Sequence, residues 1–545
     1  MALRENIESL QHPGSLAEGS AKKIPRTVRD AMSFVQILGE RYLWVDTLCI
    51  VQDGEQKMAD IANMGAIYAQ ASICIVAADG DNADSGLRGL SGLSGPRSVR
   101  QARHSLGHGT RLIETYGPRV PGHDSTWKSR AWTFQEFLFS RRMVIFEKGW
   151  IYWMCHEAIW DEYGDTSGSA RRNFNKTVPD VVELSDIASD FCTKKLTYPE
   201  DTLFAFSGIA SALSRFFEGG FVSGLPVSIF YIGLLWQPTS TVRRKSPKKM
   251  TEDTCLPSWS WGGWEGAISV LAVGTDYLKD SFKRSFRDSY ERVFPLVEWS
   301  WTNELQASPN RIQQSWHNHK VNFWNRLETP CPPGWTRCLI EDPSAVPSWQ
   351  KDNQPQLLAR PLCFYKHESE PDSEFWFPPP MPHRNERMKP QIMARYIRCR
   401  TRRAWLLLGD EIVDPDREDR LHMVSLRDER GEWAGALQPC VSLGHGGEEN
   451  SCRVGEKREP RLRLELVEIA QGSVPNDAEN SKGISDSWLP EWMLDERPKR
   501  DDLYEYFYVL WIEWVEGIAY RKGLGRVYKN MWEKQALEWI DSVLG

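Results

Sequence analysis

Two short, almost wholly apolar runs flank one amphipathic period, and this pattern limits the fold more than any other feature of the chain. The runs are Tyr42 to Ile50, YLWVDTLCI, and Ser72 to Ala78, SICIVAA. Between them Met58, Ile61, Met64, Tyr68 and Ala71 recur at helical spacing. Runs rich in aromatic and β-branched residues, without polar alternation, read as strands buried on both faces. Strand, helix and strand with short joints predict a βαβ unit and a parallel sheet. Upstream, Val28, Ala31, Met32, Val35 and Leu38 trace one face of a helix that starts near Pro25 and stops at Gly39. Residues 79–109, rich in Gly, Asp, Ser and Arg, predict a long exposed loop, and Arg111 to Tyr116 a further strand. Ser129 to Ser140 reads as a helix with Trp132, Gln135, Glu136 and Phe139 on one side. Met143 to Phe146 and Trp150 to Met154 then form a hairpin around Lys148-Gly149.

Residues 161–180 are polar and carry Gly and Ser, which places a boundary there. A helical stretch is expected over 181–236. Within it Phe221 to Trp236 is apolar, but its 16 residues fall short of the roughly 20 that a membrane span requires. Residues 239–254 read as a solvated basic linker, and Leu256 to Gly266, LPSWSWGGWEG, concentrates tryptophan. Residues 301–400 look irregular, with the proline tract Phe377 to Pro382. Leu462, Leu464 and Leu466 alternate with charged residues as a half-buried strand does. Tyr504 to Val515 reads as an aromatic strand, and Tyr528 to Leu544 as an amphipathic helix. No fixed-period repeat is present.

The 67 basic and 74 acidic residues leave a net charge of −7, which excludes the strongly basic balance of a general nucleic-acid binder. A hydrophobic content of 41% excludes a disordered acidic chain, and 25 tryptophans demand packed surroundings. The 11 cysteines form no Cys-x-x-Cys pair, and the spacing of Cys331 and Cys338 suits no common zinc pattern. Reduced thiols and a cytoplasmic location are therefore expected, without nucleic acid, metal or membrane span. The N-terminus lacks the apolar core of a signal peptide. Ser85 to Gly95 lacks a Walker lysine, and Gly444 to Gly447, GHGG, has no partnering Gly-x-Ser-x-Gly element. His317 and His319 have no ligand cluster around them in sequence.

Arg41 to Asp53, RYLWVDTLCIVQD, resembles the central block of the fungal heterokaryon incompatibility (HET) domain. The upstream IPRTVRDAMSFVQILG and the downstream MADIANMGAIYAQASICIVAADGDNADSGLRG fit the same pattern in order, and Ser129 to Cys155 resembles the family's later block. The residues carrying the match are Tyr42, Trp44, Asp46, Cys49, Met64, Tyr68, Trp132, Gln135 and Glu136. Asp201 to Ile209, Leu225 to Pro238, Leu256 to Gly266 and Leu510 to Val527 are similar to segments that commonly follow the domain. The Ser/Tyr-rich strand with a Trp-Gly pair that usually opens the family has no counterpart here. The resemblance thus implies an α/β fold with a flavodoxin-like (Toll/interleukin-receptor-like) parallel sheet, here without its first strand. The organisation expected is a polar lead-in (1–21) and a HET-like domain (22–160). A mainly helical, Trp-bearing region (181–300), an irregular Pro-containing region (301–400) and a mixed α+β region (401–545) follow.

In function the resemblance implies fungal non-self recognition and programmed cell death through protein contacts, with protein partners or self-association. An alternative is cleavage of NAD, as substrate and not as resident cofactor, by one helix-borne carboxylate that stabilises an oxocarbenium-like centre. Asp53 and Asp60 are the catalytic candidates on that reading, with Asp46 and Glu55 nearby. The family often has Glu where Asp60 stands, four residues before Met64, so the carboxylate sits back by on the order of 1.5 Å. A second alternative is a truncated or inactive member. Structural readings stand beside each site: Asp53 as a turn or cap, Asp60 as a solvated helix position, Trp132 as core. Asp46, if buried, needs partners, and Gln135 and Glu136 either orient their helix or line a pocket.

Overall fold

A computed structural model describes residues 1–17, 24–80, 82–97, 103–107, 110–113, 125–162, 164–165, 177–250, 254–270, 291–324, 326–340, 362–383, 386–412, 423–441, 462–476, 488–499 and 503–545. The chain divides into two compact units. The first holds Met1–Asn175, Lys194–Thr197 and Phe204–Ile209, and the second holds the remainder.

The first unit begins with helices α1 (Ile7–Gln11), α2 (Arg26–Ile37), the single turn α3 (Asp46–Cys49) and α4 (Lys57–Gln70), followed by strand β1 (Cys74–Ala77). A hairpin β2 (Arg103–Gly107) and β3 (Thr110–Ile113), helices α5 (Thr126–Ser129) and α6 (Trp132–Phe139), and strands β4 (Arg142–Glu147), β5 (Trp150–Cys155), β6 (Ile159–Asp161) and β7 (Gly164–Asp165) complete it. The sheet runs β1-β4-β5-β6-β7. β1 and β4 are parallel, from Cys74↔Met143 to Ala77↔Phe146, whereas the other junctions are antiparallel. The β4–β5 turn needs left-handed backbone at Lys148 (φ 49°) and Gly149 (φ 81°). Asp79, just past β1, accepts both turn amides and so locks the hairpin to the parallel strand.

The sequence patterns for α2, α4, β1 and the β4–β5 hairpin reappear in the structure, but three expectations for this unit are corrected. Tyr42 to Ile50 is not a strand. Residues 40–45 carry no ladder, Tyr42 is 84% exposed, and Asp46–Cys49 closes a helical turn. An apolar run this short fits either state, and among the described residues no strand lies beside it to pair with. The Asp46 carboxylate instead accepts the Thr47 amide (2.6 Å), and Ala2 bonds to Thr47 and Gln52 through its backbone. The parallel pairing therefore forms between β1 and β4 and not across α4. Residues 79–109 are also not simply an exposed loop. Leu87 and Leu90 are buried with Ala31, Val144 and Phe146, because Asp84 and Ala83 cap the start of α2 and buried Asp30 accepts the Leu87 amide (2.8 Å). β2 also lies in that stretch; its partner β3 starts at Thr110, and residues 114–116 of the expected strand lie outside the described residues.

Past the first unit's sheet come helices α7 (Val181–Cys192), α8 (Thr202–Leu213) and α9 (Phe230–Gly233). Phe221 to Trp236 is buried throughout, and no helix among the described residues is long and apolar enough to cross a membrane. In the second unit, two-residue strands pair as β8 (Phe221–Val222) with β9 (Leu225–Pro226), β10 (Gln237–Pro238) with β13 (Ile268–Ser269), and β11 (Arg243–Arg244) with β12 (Trp264–Glu265). Trp259, Trp261 and Trp264 are fully buried, and their indoles donate to carbonyls, as at Trp264 to Ser258 (2.9 Å) and Trp261 to Gly224 (3.3 Å). Gly224 has φ 84°, and a Cβ there would lie 2.5 Å from the Trp261 ring. Gly224→Ala is therefore expected to cost about 2–3 kcal/mol, from backbone strain and overpacking together. A change in thermal midpoint under about 2 °C would contradict that packing.

The larger sheet of this unit uses β14 (Arg292–Pro295), β15 (Ser300–Thr302), β16 (Asn310–Arg311), β20 (Tyr396–Ile412), β21 (Met423–Arg427), β22 (Trp433–Pro439), β23 (Arg463–Pro475), β24 (Leu503–Val515), β25 (Ile518–Tyr528) and β26 (Glu538–Leu544). The order β23-β24-β25-β22-β21-β20 closes on itself, because β20 also pairs with β23 from Arg403↔Val467 to Leu407↔Arg463. The result is a closed antiparallel ring. Alternate residues fill it, among them Leu406, Leu426, Leu466, Phe507, Val509 and Trp511. Helix α10 (Ser315–Phe323) and a separate sheet β17 (Trp335–Ile340), β18 (Leu362–His367) and β19 (Glu370–Phe375) give order to the stretch that reads as irregular.

The expected helix over Tyr528 to Leu544 is corrected. Only Lys529–Trp532 turns helically, and β26 pairs with β20 from Ile397↔Leu544 to Arg403↔Glu538. Ser542 and Leu544 face inward while Trp539 and Asp541 face solvent, a period of two that the waiting edge of β20 selects.

Candidate functional site

The α6 sequence WTFQEFLF sets two neighbouring polar residues to different work, because successive side chains on a helix point about 100° apart. Gln135 is fully buried and donates to the Ala205 carbonyl (2.7 Å), with its amide oxygen over Gly208, where a Cβ would collide with it. It clamps residues 204–209 to α6. Glu136 points elsewhere, into a half-buried position where the Trp127 indole donates to Oε2 (2.9 Å) and the Tyr68 hydroxyl faces the same carboxyl. Tyr68 comes from α4, Asp46 from α3, and Arg130 from the joint between α5 and α6. Gly65 permits this convergence, since a Cβ there would meet the Phe139 ring at 2.9 Å as α4 crosses α6. Trp44 closes one side, with its ring 5.6 Å from that of Tyr68 and nearly perpendicular to it.

Burial pushes the Glu136 carboxyl above the usual carboxylate range, and the Asp46 charge adds to this; Trp127, Tyr68 and Arg130 act against it. Burial likewise raises the Tyr68 hydroxyl, reinforced by the charges of Glu136, Cys74 and Asp46. A carboxyl shifted toward neutrality is suited to giving and taking protons, or to meeting ligand hydroxyls, and perturbed groups of this kind concentrate at functional sites.

Thus the structure brings together Trp44, Asp46, Tyr68 and Glu136. Met64 is buried and Trp132 half-buried on the same pair of helices. Tyr42 and Cys49 are exposed; Arg41 lies over the Tyr42 ring and the Val45 amide points at the Cys49 sulfur (3.5 Å). Asp53 is exposed, and its carboxylate accepts the Arg4 amide (2.8 Å), while Glu55 pairs with the Arg4 guanidinium (3.1 Å). Asp60 is half-buried in the first turn of α4. Trp127 is the member that sequence reasoning missed. Its sign was Ser125, a cap residue that accepts the Lys128 amide (3.2 Å) and starts the turn carrying Trp127.

The ten cysteines among the described residues are all free, and no group of three or more His, Cys, Asp or Glu among those residues is placed to hold a metal. No curated protein and no solved structure matches the chain. The family model described as heterokaryon incompatibility protein (HET) matches residues 4–136, a span that runs from the N-terminal segment into α6 and ends on Glu136. Residues 4–136 therefore match a HET domain, and Trp44, Asp46, Tyr68, Trp127 and Glu136 all lie within the matched span.

Proposed function

We propose that the protein acts in heterokaryon-incompatibility-type non-self recognition in fungi, in the cytoplasm, and drives cell death through protein contacts. The HET domain at residues 4–136 carries this reading. Exposed Ile37, Leu38 and Tyr42, clustered where α2 ends, supply apolar surface for a protein partner or a second copy. Induced expression in fungal cells tests it. Killing should survive Asp60→Ala and be lost when the 129–155 block is disrupted; killing that persists without that block counts against the proposal.

A second reading, cleavage of NAD or a relative, draws support from the Glu136 environment. On this reading the domain is of the flavodoxin-like (Toll/interleukin-receptor-like) kind, with the β1–β4 pair as its parallel element. A carboxylate would stabilise the ribose cation as nicotinamide leaves. Asp53 and Asp60 are its candidates by resemblance, and Glu136 by environment. Purified protein should then release nicotinamide, with at least a tenfold drop in whichever of Asp53→Ala, Asp60→Ala or Glu136→Gln removes the working group. Equal release by all folded forms retires these assignments. Cellular NAD followed against viability separates the readings: NAD loss before death favours the enzyme, and death at steady NAD favours contacts. Neither effect would leave an inactive member.

A further inference from the structure

Strand β24 has two faces built from different chemistry. Phe507, Val509 and Trp511 point into the closed ring, whose filling is apolar. Tyr504, Tyr506 and Tyr508 alternate with them on the outside, with Tyr528 stacked on Tyr504 (5.6 Å, 2° between planes). Arg526 of β25 lies at the centre of this outer face, 3.9 Å over the Tyr506 ring and 1% exposed. Residues 488–499, with the short helix Leu489–Trp492, cover it together with buried Glu291, which lies outside that segment, accepts the Tyr506 and Tyr508 hydroxyls and remains on the face without it. Trp488 packs on Tyr508, Trp492 on Tyr504, and Glu491 accepts the Tyr504 hydroxyl (2.8 Å). Arg497 stacks on Trp492 and donates to Asn476 (2.6 Å), and Glu496 pairs with Arg427 at the rim (2.7 Å).

The cover fits this face incompletely. All three nitrogens of Arg526, the second oxygen of Glu491 and the Trp492 indole nitrogen are buried without a hydrogen-bond partner among the described residues. The Glu491 oxygen stands 3.5 Å from Arg526 Nε, too far to satisfy a guanidinium. Each such group carries an uncompensated desolvation penalty when kept from water. Tyrosine and arginine, by contrast, are the residues that serve a contact surface which is sometimes wet.

We propose that residues 488–499 are a displaceable strap over a docking face formed by Tyr504, Tyr506, Tyr508, Tyr528 and Arg526. The partner that fits is a segment carrying a carboxylate next to aromatic side chains. The strap is its template, with Trp488, Glu491 and Trp492 on one side of a helical turn, and Arg526 offers unspent donors to a better-placed carboxylate.

Hydrogen exchange of the full chain is the first test. Strap amides of residues 491–494 should exchange at least a hundredfold faster than the amides of Tyr504 to Tyr508, and equal protection would overturn the proposal. The second test uses a labelled peptide spanning 488–499, WLPEWMLDERPK. It should bind the full-length Trp488→Ala/Trp492→Ala variant at least tenfold more tightly than the unaltered chain, and a peptide with Glu491→Lys should bind neither. A folded variant that ignores the peptide would overturn the proposal; should that variant fail to fold, Glu496→Gln loosens the rim tether instead and is read in the same way.

Discussion

Replacing Arg521 by alanine is expected to unfold the second unit at temperatures where the unaltered chain is intact. Arg521 lies on β25, 1% exposed, with its guanidinium 3.8 Å over the Trp236 ring. It donates to the carbonyls of Leu234 (2.8 Å) and Trp236, and its own amide donates to Ser258 Oγ (2.9 Å). Burial lowers its pKa to about 10, so it stays charged near neutral pH. One side chain thus joins the ring to the buried tryptophan layer. Its loss strands two carbonyls and leaves a void beneath Trp236, which costs about 3–5 kcal/mol. That is a large part of the roughly 5–15 kcal/mol of a whole domain. Arg521→Lys should recover only part, because a point charge cannot fork to two carbonyls. Tryptophan fluorescence during heating reads the change, and a midpoint within 2 °C of the unaltered chain would refute this role.

Glu136→Gln is expected to do the opposite in the first unit: to raise stability near neutral pH while lowering function. The folded carboxyl has a pKa above its ordinary value of 4.5, so the folded state holds a proton that the unfolded chain releases. The stabilisation from this group is full below the unfolded value and is lost as pH rises through the folded one. Glutamine keeps an acceptor for the Trp127 indole and removes the charge that burial and Asp46 oppose. A gain of roughly 1 kcal/mol at pH 8, shrinking toward pH 4, is the expected signature in urea titrations. Loss of killing, or of nicotinamide release, alongside that gain would mark a group retained for function at the expense of stability. A Gln variant that is less stable at every pH would show the carboxylate to be a structural anchor instead. Tyr68→Phe serves as the companion, since it removes the hydroxyl that faces the same carboxyl.

Much of this architecture can be read from residue order, and the failures share one cause. α2, α4, β1 and the β4–β5 hairpin declare themselves because their burial follows from local period and turn chemistry. Tyr42 to Ile50 and Glu538 to Leu544 do not, because each is decided by a neighbour. Among the described residues the first has no strand to pair with, and the second finds the edge of β20. The same limit holds at the site. Asp46, Tyr68 and Glu136 stand out by their place in the HET pattern, yet nothing local says that α3, α4 and α6 bring them into one electrostatic environment. Trp127 stays hidden because its role is a single indole hydrogen bond across a turn. Asp53 and Asp60 differ little from Asp46 on paper, and only the fold shows that the Asp46 charge acts on Glu136 while Asp53 accepts the amide of distant Arg4.

The closed ring also has a temporal consequence. β20 can pair early with β15 and β21, but it cannot complete its ladders until β23 and then β26 have been made, so part of each edge stays open while a long stretch of intervening chain is still being assembled. Pairings this distant in sequence are slow to form, and open edges invite association with other chains in the interval. The second unit should therefore fold late and in one step, and crowding or heat shock during synthesis should deplete it before the finished protein shows any weakness.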